Sequence, residues 1–515
     1  MKKKLTLLTL AFVFATTLFL LILSVKGNIK DGTLMFQNDR NTSVGGPYES
    51  TNSTSRYALT QSIVNNGAFS FTNDLAVFAS PDLVQYKGKY FSIFTPGVSF
   101  LGIPFYIIGN FFGIPQIATF SITLILALIN FALIAKIANK FGTNIYLSLL
   151  SGFVFLFGTN AFAYALTFTQ HHASVSLMLL GFLTLFEKRV LTKNILLGLC
   201  FGGALLMDIP NAFIMLPIII FSIIQSVKIN NDEKTTKISL DLKILGFGLG
   251  ILPLIILFGY YNYSLTGSVT KLGQTIGRTD FPSSGSVIKE SSKIKKTTPE
   301  SRIAISLPFD TRKQMSGLYT LLISDERGWL FYSPVLVIGI LGLILAFKDL
   351  RNKQNKEIII VAGSIAGITI VMYSMFGDPW GGWSFGPRYL IPAAAITSTG
   401  IGFAIQKLKK KLYFLAIFLG LILYSLWINL LGALTTNAIP PKVEAQHLTT
   451  YIPYTFKYNE ILLSKNQLSS LFYNMFYNQY MPGNVYFYIL FSVATLTVVF
   501  LIMGSQLFRK ERETA

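Results

Sequence analysis

A few strings of this sequence hold side chains that could do chemistry. The first is "FGDPWGGWSFGPRYL" (376–390), which packs two Trp, four Gly, two Pro, one Asp and one Arg into fifteen positions. Arg388 carries a planar fork of donors that suits a phosphate. The Gly-Gly pair and the Gly-Pro before Arg388 imply a fixed, tight backbone path that aims side chains. Taken singly, Asp378 and Arg388 also fit snorkelling interface residues, and Trp380 and Trp383 an aromatic belt. His171 and His172 close "FTQHH" (168–172), where a hydrogen-bonding role competes with a functional one and metal ligation lacks partners. Asp208 interrupts a stretch otherwise uncharged for ten residues to either side. A buried, unpaired carboxylate is costly, so Asp208 belongs at a helix end or beside a cation. "SDERGWLFYSP" (324–334) reads as an interfacial ion network.

The elements that must position these residues are membrane helices. Of 515 residues, 52% are hydrophobic and 13% charged, so most of the chain cannot face water. The net charge of +20 sits in clusters between apolar runs of about twenty residues, the length that spans a bilayer. The charge therefore reads as topology, and nucleic acid is excluded as a partner. The single cysteine, Cys200, excludes a disulfide framework. No cofactor is called for, and a divalent metal is not indicated. The start, "MKKKLTLLTLAFVFATTLFLLILSVKG", has a basic head and an apolar core of spanning length, so it reads as an uncleaved first helix.

The stretch 26–95 is polar and must lie outside. The segment 95–115 is apolar but holds three prolines and four glycines, and its status decides the topology. If it crosses, Lys136, Lys140, "EKRVLTK" (187–193), "KDLRNK" (348–353) and "KLKKK" (407–411) fall outside. If it only dips in or lies at the interface, they are all cytoplasmic, as the positive-inside rule prefers. We adopt the second topology. Crossings then fall near 1–25, 116–135, 146–167, 172–187, 194–209, 211–227, 244–264, 330–347, 357–376, 389–405, 412–432 and 485–503. This gives an all-α polytopic protein of about twelve transmembrane helices, multi-pass in the cytoplasmic membrane, both termini inside. "FTQHH", Asp208, "SDERGWLFYSP" and 376–390 then share one extracytoplasmic face with the first loop, a reasonable site candidate.

The strings "SRYALTQSIVNNGAFSF" (55–71), "YKGKYFSIFTPGVSFLGIPFYIIG" (86–109), "RGWLFYSPVL" (327–336) and "WGGWSFGPRYLIP" (380–392) resemble, in order, the polytopic GT-C glycosyltransferases. Prokaryotic relatives of the protein mannosyltransferases and the aminoarabinose transferases are most similar. The likeness runs over about 1–405. It implies a GT-C-like fold with juxtamembrane structure in the first external loop. Its divisions are a first helix (1–25), an external catalytic loop (26–95), a transmembrane core (96–405) and a C-terminal region (406–515) with an external loop at 433–484.

The resemblance further implies a polyprenyl-phosphate sugar as donor. A first-loop carboxylate acts as general base on the acceptor, and the lipid phosphate leaves with inversion. Relatives commonly carry an aspartate just before the Arg-Tyr pair, whereas "YESTNSTSRY" (48–57) has only Glu49. The candidates for the base are therefore Glu49, Asp74 and Asp82. Arg388, Arg56 and Lys89 are candidates for the donor phosphate. Trp380, Trp383, Tyr389, His171 and Asp378 are further candidates for substrate binding. The acceptor is a lipid, a glycan or a protein. Competing readings are a polymerase or ligase of lipid-linked glycans, a lipid transporter, and a noncatalytic lipid-binding relative. A transporter would place its polar residues near the bilayer midplane, often with repeated halves; no repeat is evident here.

Overall fold

A computed structural model describes residues 2–27, 44–232, 235–279 and 309–513 of the chain. Helices dominate, and the strands form two antiparallel hairpins, β1 (Leu83–Tyr86) with β2 (Lys89–Ser92) and β3 (Val227–Asp232) with β4 (Thr235–Leu240). The longer helices are α1 (Lys2–Leu23), α2 (Thr51–Asn66), α3 (Asn73–Ala79), α4 (Gly97–Phe111), α5 (Pro115–Lys140), α6 (Ile145–Phe157), α7 (His171–Leu183), α8 (Val190–Met207) and α9 (Asn211–Ser226). They continue with α10 (Gly246–Thr266), α11 (Leu336–Asp349), α12 (Lys353–Ser374), α13 (Ile391–Ser398), α14 (Ile401–Leu408), α15 (Leu412–Leu434) and α16 (Gly483–Glu513).

This is a multi-pass membrane protein, and each expected crossing contains helix, although those near 146–167, 330–347 and 389–405 are broken within their length. Among the described residues, six helices are long and apolar enough to cross a bilayer, and the pair Arg388–Ser398 and Ile401–Leu408, bent by 42°, makes a seventh if counted as one span. Others are shorter than a full crossing: α6 and α7 have 13 residues each, α9 has 16 and α11 has 14. Where helices cross closely, glycine lets the backbones meet. Gly198 of α8 lies against the Phe247 carbonyl, and Gly250 of α10 against the Ile195 carbonyl. Any side chain there would drive into backbone.

The basic clusters gather at one end of the bundle. Lys407 pairs with Asp349, Lys140 lies over the Phe186 ring, and Asn144 N–H donates to Gln406 at 2.9 Å. Helix α5 runs to that end from the other one. Thr123 donates to the Ala165 carbonyl at 2.9 Å, Asn130 to the His172 carbonyl at 2.9 Å, and Lys140 reaches Phe186. Helix α4 does not make the journey. Its first residue, Gly97, abuts Leu206 at the far end of α8, and the helix then folds back along the opening turns of α5, with Gly102 against Thr119 and Gly109 against Ala118. Both ends of α4 therefore lie on the side opposite the basic clusters, and the chain turns at Gly113 with Phe111 and Phe112 exposed.

The first loop carries the expected juxtamembrane structure. Helix α2 is mostly polar yet buried from Asn52 to Thr60, and it stops at Gly67, whose φ of 60° leaves the helical region. Some of its polar groups are tied to α4: Thr60 donates to the Ser99 carbonyl at 3.0 Å, and Ser99 to the Arg56 carbonyl at 2.9 Å. The β1–β2 turn places Lys87 and Gly88 at φ 48° and 76°, the left-handed pair a two-residue hairpin requires. Beneath lies an apolar core of its own, built from Tyr57, Phe78, Phe91, Tyr106, Phe120 and Phe168. This core fixes α2 and the hairpin onto α5 and the start of α7.

Candidate active site

The loop 375–390 links α12 to α13 and bends as its glycines imply. Gly381, Gly382 and Gly386 hold φ values of 72°, 63° and 60°. Asp378 accepts from Gly381 N–H at 2.9 Å and so closes the first turn. A Cβ on Gly381 would stand 2.9 Å from Arg388 Nε, and one on Gly386 would stand 3.1 Å from the Tyr332 ring. Tyr389 is stacked flat on Tyr373 at 4.5 Å with Phe376 at its edge. Trp383 is exposed and donates to Glu444. Trp380 contributes its carbonyl, which accepts from Ser384 at 3.0 Å.

Behind this loop lies Arg327, a residue that sequence reasoning placed in an interfacial ion network. It is fully buried and donates to five carbonyls: Trp380 (3.0 Å), Glu326 (2.8 Å), Tyr454 (3.4 Å), Gly382 (3.3 Å) and Ile439 (2.9 Å). Its partners are backbone oxygens that a glycine-rich turn cannot satisfy internally. The ions are elsewhere: Glu326 accepts from Lys442 N–H and Asp325 from the Tyr454 hydroxyl.

In front of the loop, Arg388 lies within electrostatic reach of Arg56. Arg56 is buried, lies 4.0 Å over the Phe94 ring, and donates to the side chain and carbonyl of Asn52. The two guanidiniums act on each other electrostatically, and both act on Asp208 and His171. Each has its Nε buried without a hydrogen-bond partner, and among the described residues neither is in ion-pair contact with a carboxylate. Burial pulls Arg56 down to about 10, with Arg388 adding to the fall and Asp208 and Asp82 opposing it. It remains cationic at neutral pH.

The first-loop carboxylates have three different fates. Glu49 accepts from Lys26 Nζ (3.0 Å), Gly45 N–H (2.9 Å), the Thr436 hydroxyl and Asn437 N–H (2.8 Å). Both its oxygens are occupied, and it clamps the end of α1 to the end of α15. Asp74 is exposed in the first turn of α3. Asp82 is 3% exposed. One of its oxygens accepts from Thr51 at 2.6 Å, the other lies 2.8 Å from the exposed guanidinium of Arg278, and its charge reaches Arg56.

Lys89 is exposed on β2 and donates to the Ser264 carbonyl at 3.0 Å, tying the hairpin to α10. His172 is structural, bridging Asn130 and the Ala161 carbonyl. His171 packs edge-on against Tyr164 at 4.9 Å with a buried, unpartnered Nε2. Two residues left outside the candidate set join this cluster, Gln170 and Asp208, linked by a 3.1 Å hydrogen bond. Their signal was the lone Asp in an apolar stretch. Among the described residues, no three His, Cys, Asp or Glu side chains come together as metal ligands do.

Two guanidiniums with no carboxylate in ion-pair contact and each with a buried, unpartnered Nε can hold an anion with phosphate geometry, since their charge is uncancelled in a sheltered, low-dielectric site. The nearby carboxylates can accept a proton or hydroxyl hydrogen bonds.

No protein-family description matches the chain, and no curated protein matches it. Its helix arrangement is similar to that of ArnT from Cupriavidus metallidurans bound to undecaprenyl phosphate, at a TM-score of 0.48 and 11% identity, over 96% of this chain and 75% of that one. The apo state of ArnT from the same organism gives 0.45 and 10%, over 97% and 75%. At this level the likeness carries no argument about function.

Proposed function

We propose that the chain is an integral membrane glycosyltransferase that moves a sugar from a polyprenyl phosphate to an acceptor on the extracytoplasmic face. The observation that carries this reading is the pair Arg56 and Arg388, two buried guanidiniums with unpaired Nε atoms, held at the end of the bundle opposite the basic clusters. With those clusters cytoplasmic, the pair faces the side from which a lipid-linked donor with an outward headgroup is reached.

In this reading the arginines bind the donor's phosphate. Asp82 takes the proton from the acceptor hydroxyl or amine. The freed lone pair attacks the anomeric carbon from the face opposite the phosphate, and the C–O bond to phosphate breaks. Its electrons leave with the lipid phosphate, whose new charge the two guanidiniums stabilise. Asp82 fits the role better than Glu49, whose lone pairs are already taken, or Asp74, which stands in solvent. Tyr389, wedged by Tyr373 and closed under Gly381, orients Arg388.

The test is consumption of polyprenyl-phosphate sugars by the purified protein in lipid, wild type against Arg388→Ala and Asp82→Asn at matched folding. Loss of turnover in both supports the reading. Binding without turnover by the wild type, over a broad panel of donors and acceptors, overturns it in favour of a noncatalytic lipid-binding protein.

A further inference from the structure

Asp208 has no part in the steps above, yet it stands at their centre. It lies in the break between α8 and α9, where the chain turns through Ile209 and Pro210. Its charge reaches Arg56 on α2, Arg388 before α13, Tyr373 on α12 and Tyr389. Three separate segments thus look onto one carboxylate.

Proximity without contact is the informative feature. A carboxylate placed between two buried arginines to neutralise them would close onto one as an ion pair, because partial desolvation makes a gap costly. Here Asp208 instead accepts from Gln170 Nε2 at 3.1 Å, and among the described residues it makes no ion pair with either guanidinium, each of which keeps an unpartnered Nε. Gln170 is only 8% exposed and His171 only 6%. Gln170 Oε1 and His171 Nε2 are themselves buried without partners. The structure therefore sets, beside the anion site, an acceptor-only carboxylate held by Gln170 and next to it two unpartnered polar atoms, an amide oxygen and an imidazole nitrogen. The donor's ionised phosphodiester has no hydrogens to offer them. A ring of hydroxyls has.

We infer that Asp208, oriented by Gln170, binds the donor's sugar: its carboxylate accepts hydroxyl hydrogen bonds from the ring, and its negative charge stabilises the oxocarbenium character that develops as the phosphate leaves. The inference rests on the glycosyltransferase reading. Asp208 takes no proton and forms no bond in this role; it answers the positive charge on the anomeric carbon as the arginines answer the negative charge on the phosphate. Removing it affects the two halves of the donor in opposite senses. The sugar loses an acceptor, whereas the phosphate loses a neighbouring negative charge.

The experiment compares two ligands, undecaprenyl phosphate and a polyprenyl-phosphate hexose, on full-length protein in lipid. Asp208→Asn keeps shape and removes charge. We expect it to bind undecaprenyl phosphate as tightly as wild type or more tightly, and to bind the hexose-bearing lipid about tenfold or more weakly, the loss typical of a buried charged hydrogen bond. Gln170→Met, which leaves the carboxylate charged but unoriented, should move the same way by less. Arg388→Ala should weaken both ligands. Equal weakening of both by Asp208→Asn marks a structural residue and overturns the inference, as does no change in either. A wild-type protein that binds neither ligand overturns the glycosyltransferase reading and this inference with it.

Discussion

The Nε of Arg327 donates to the Trp380 carbonyl at 3.0 Å, so the loop that aims Arg388 hangs from a buried cation whose whole fork is occupied by backbone oxygens. The same guanidinium reaches Gly382 and Ile439, which couples the loop to the chain beyond α15. One arginine holds the turn and a second, at its end, is left free for a ligand.

Arg327→Ala should therefore act on folding. It strands several buried carbonyls, and the expected loss is about 3 kcal/mol or more. Arg327→Lys keeps the charge but not the fork and should recover only part of this. Thermal unfolding in detergent reads the difference. Arg388→Ala, whose guanidinium supports no backbone, should melt near wild type while phosphate binding is lost.

Gly386→Ala tests the turn itself. At φ 60° the new methyl group also meets the Tyr332 ring at 3.1 Å. The left-handed conformation alone costs an L-residue about 1–2 kcal/mol, so a lowered melting temperature is expected together with weaker binding of undecaprenyl phosphate. An unchanged melting temperature would show that the turn relaxes freely.

Glu49 and Asp82 should separate cleanly. Glu49→Gln breaks a buried pair in which Lys26 is fully covered and Glu49 nearly so, and removing one partner of such a pair costs about 3–5 kcal/mol. Asp82→Asn loses a contact with a guanidinium that is 61% exposed, so its stability should change by less than about 1 kcal/mol while turnover falls. A destabilised Asp82→Asn with a neutral Glu49→Gln would reverse the two assignments.

The sidedness is open to a direct test. In a Cys200→Ala background, Asp74→Cys should react with an impermeant maleimide added to intact cells, and Lys188→Cys should react only after permeabilisation. Labelling of both from outside would defeat the orientation proposed for the site.

Much of this architecture was legible in the sequence because the forces behind it are local. Apolar runs give helices, and Gly381, Gly382 and Gly386 give the loop its turns. The prolines and glycines of 95–115, weighed against the basic clusters, give the expectation of a segment that does not cross, and α4 begins beside Leu206 and packs along the opening turns of α5. What stayed hidden depends on distant partners. Glu49 was a candidate as the acidic residue before the Arg-Tyr pair, but Lys26 and the backbone after α15 close on it. Arg327 looked ionic beside Asp325 and Glu326, but the carbonyls of 380–382 and 439 claim it. Asp208 could be placed at a helix end, yet nothing in its own stretch showed that α2 and the Arg388 loop would face it.

The most direct measurement is release of polyprenyl phosphate from a polyprenyl-phosphate sugar by the lipid-embedded protein, with Arg388→Ala and Asp82→Asn alongside and their unfolding profiles recorded. The account expects wild-type turnover and a fall of about 100-fold or more in both variants at unchanged stability. Turnover retained by Arg388→Ala, or a wild-type protein that binds donors without consuming any, would contradict it.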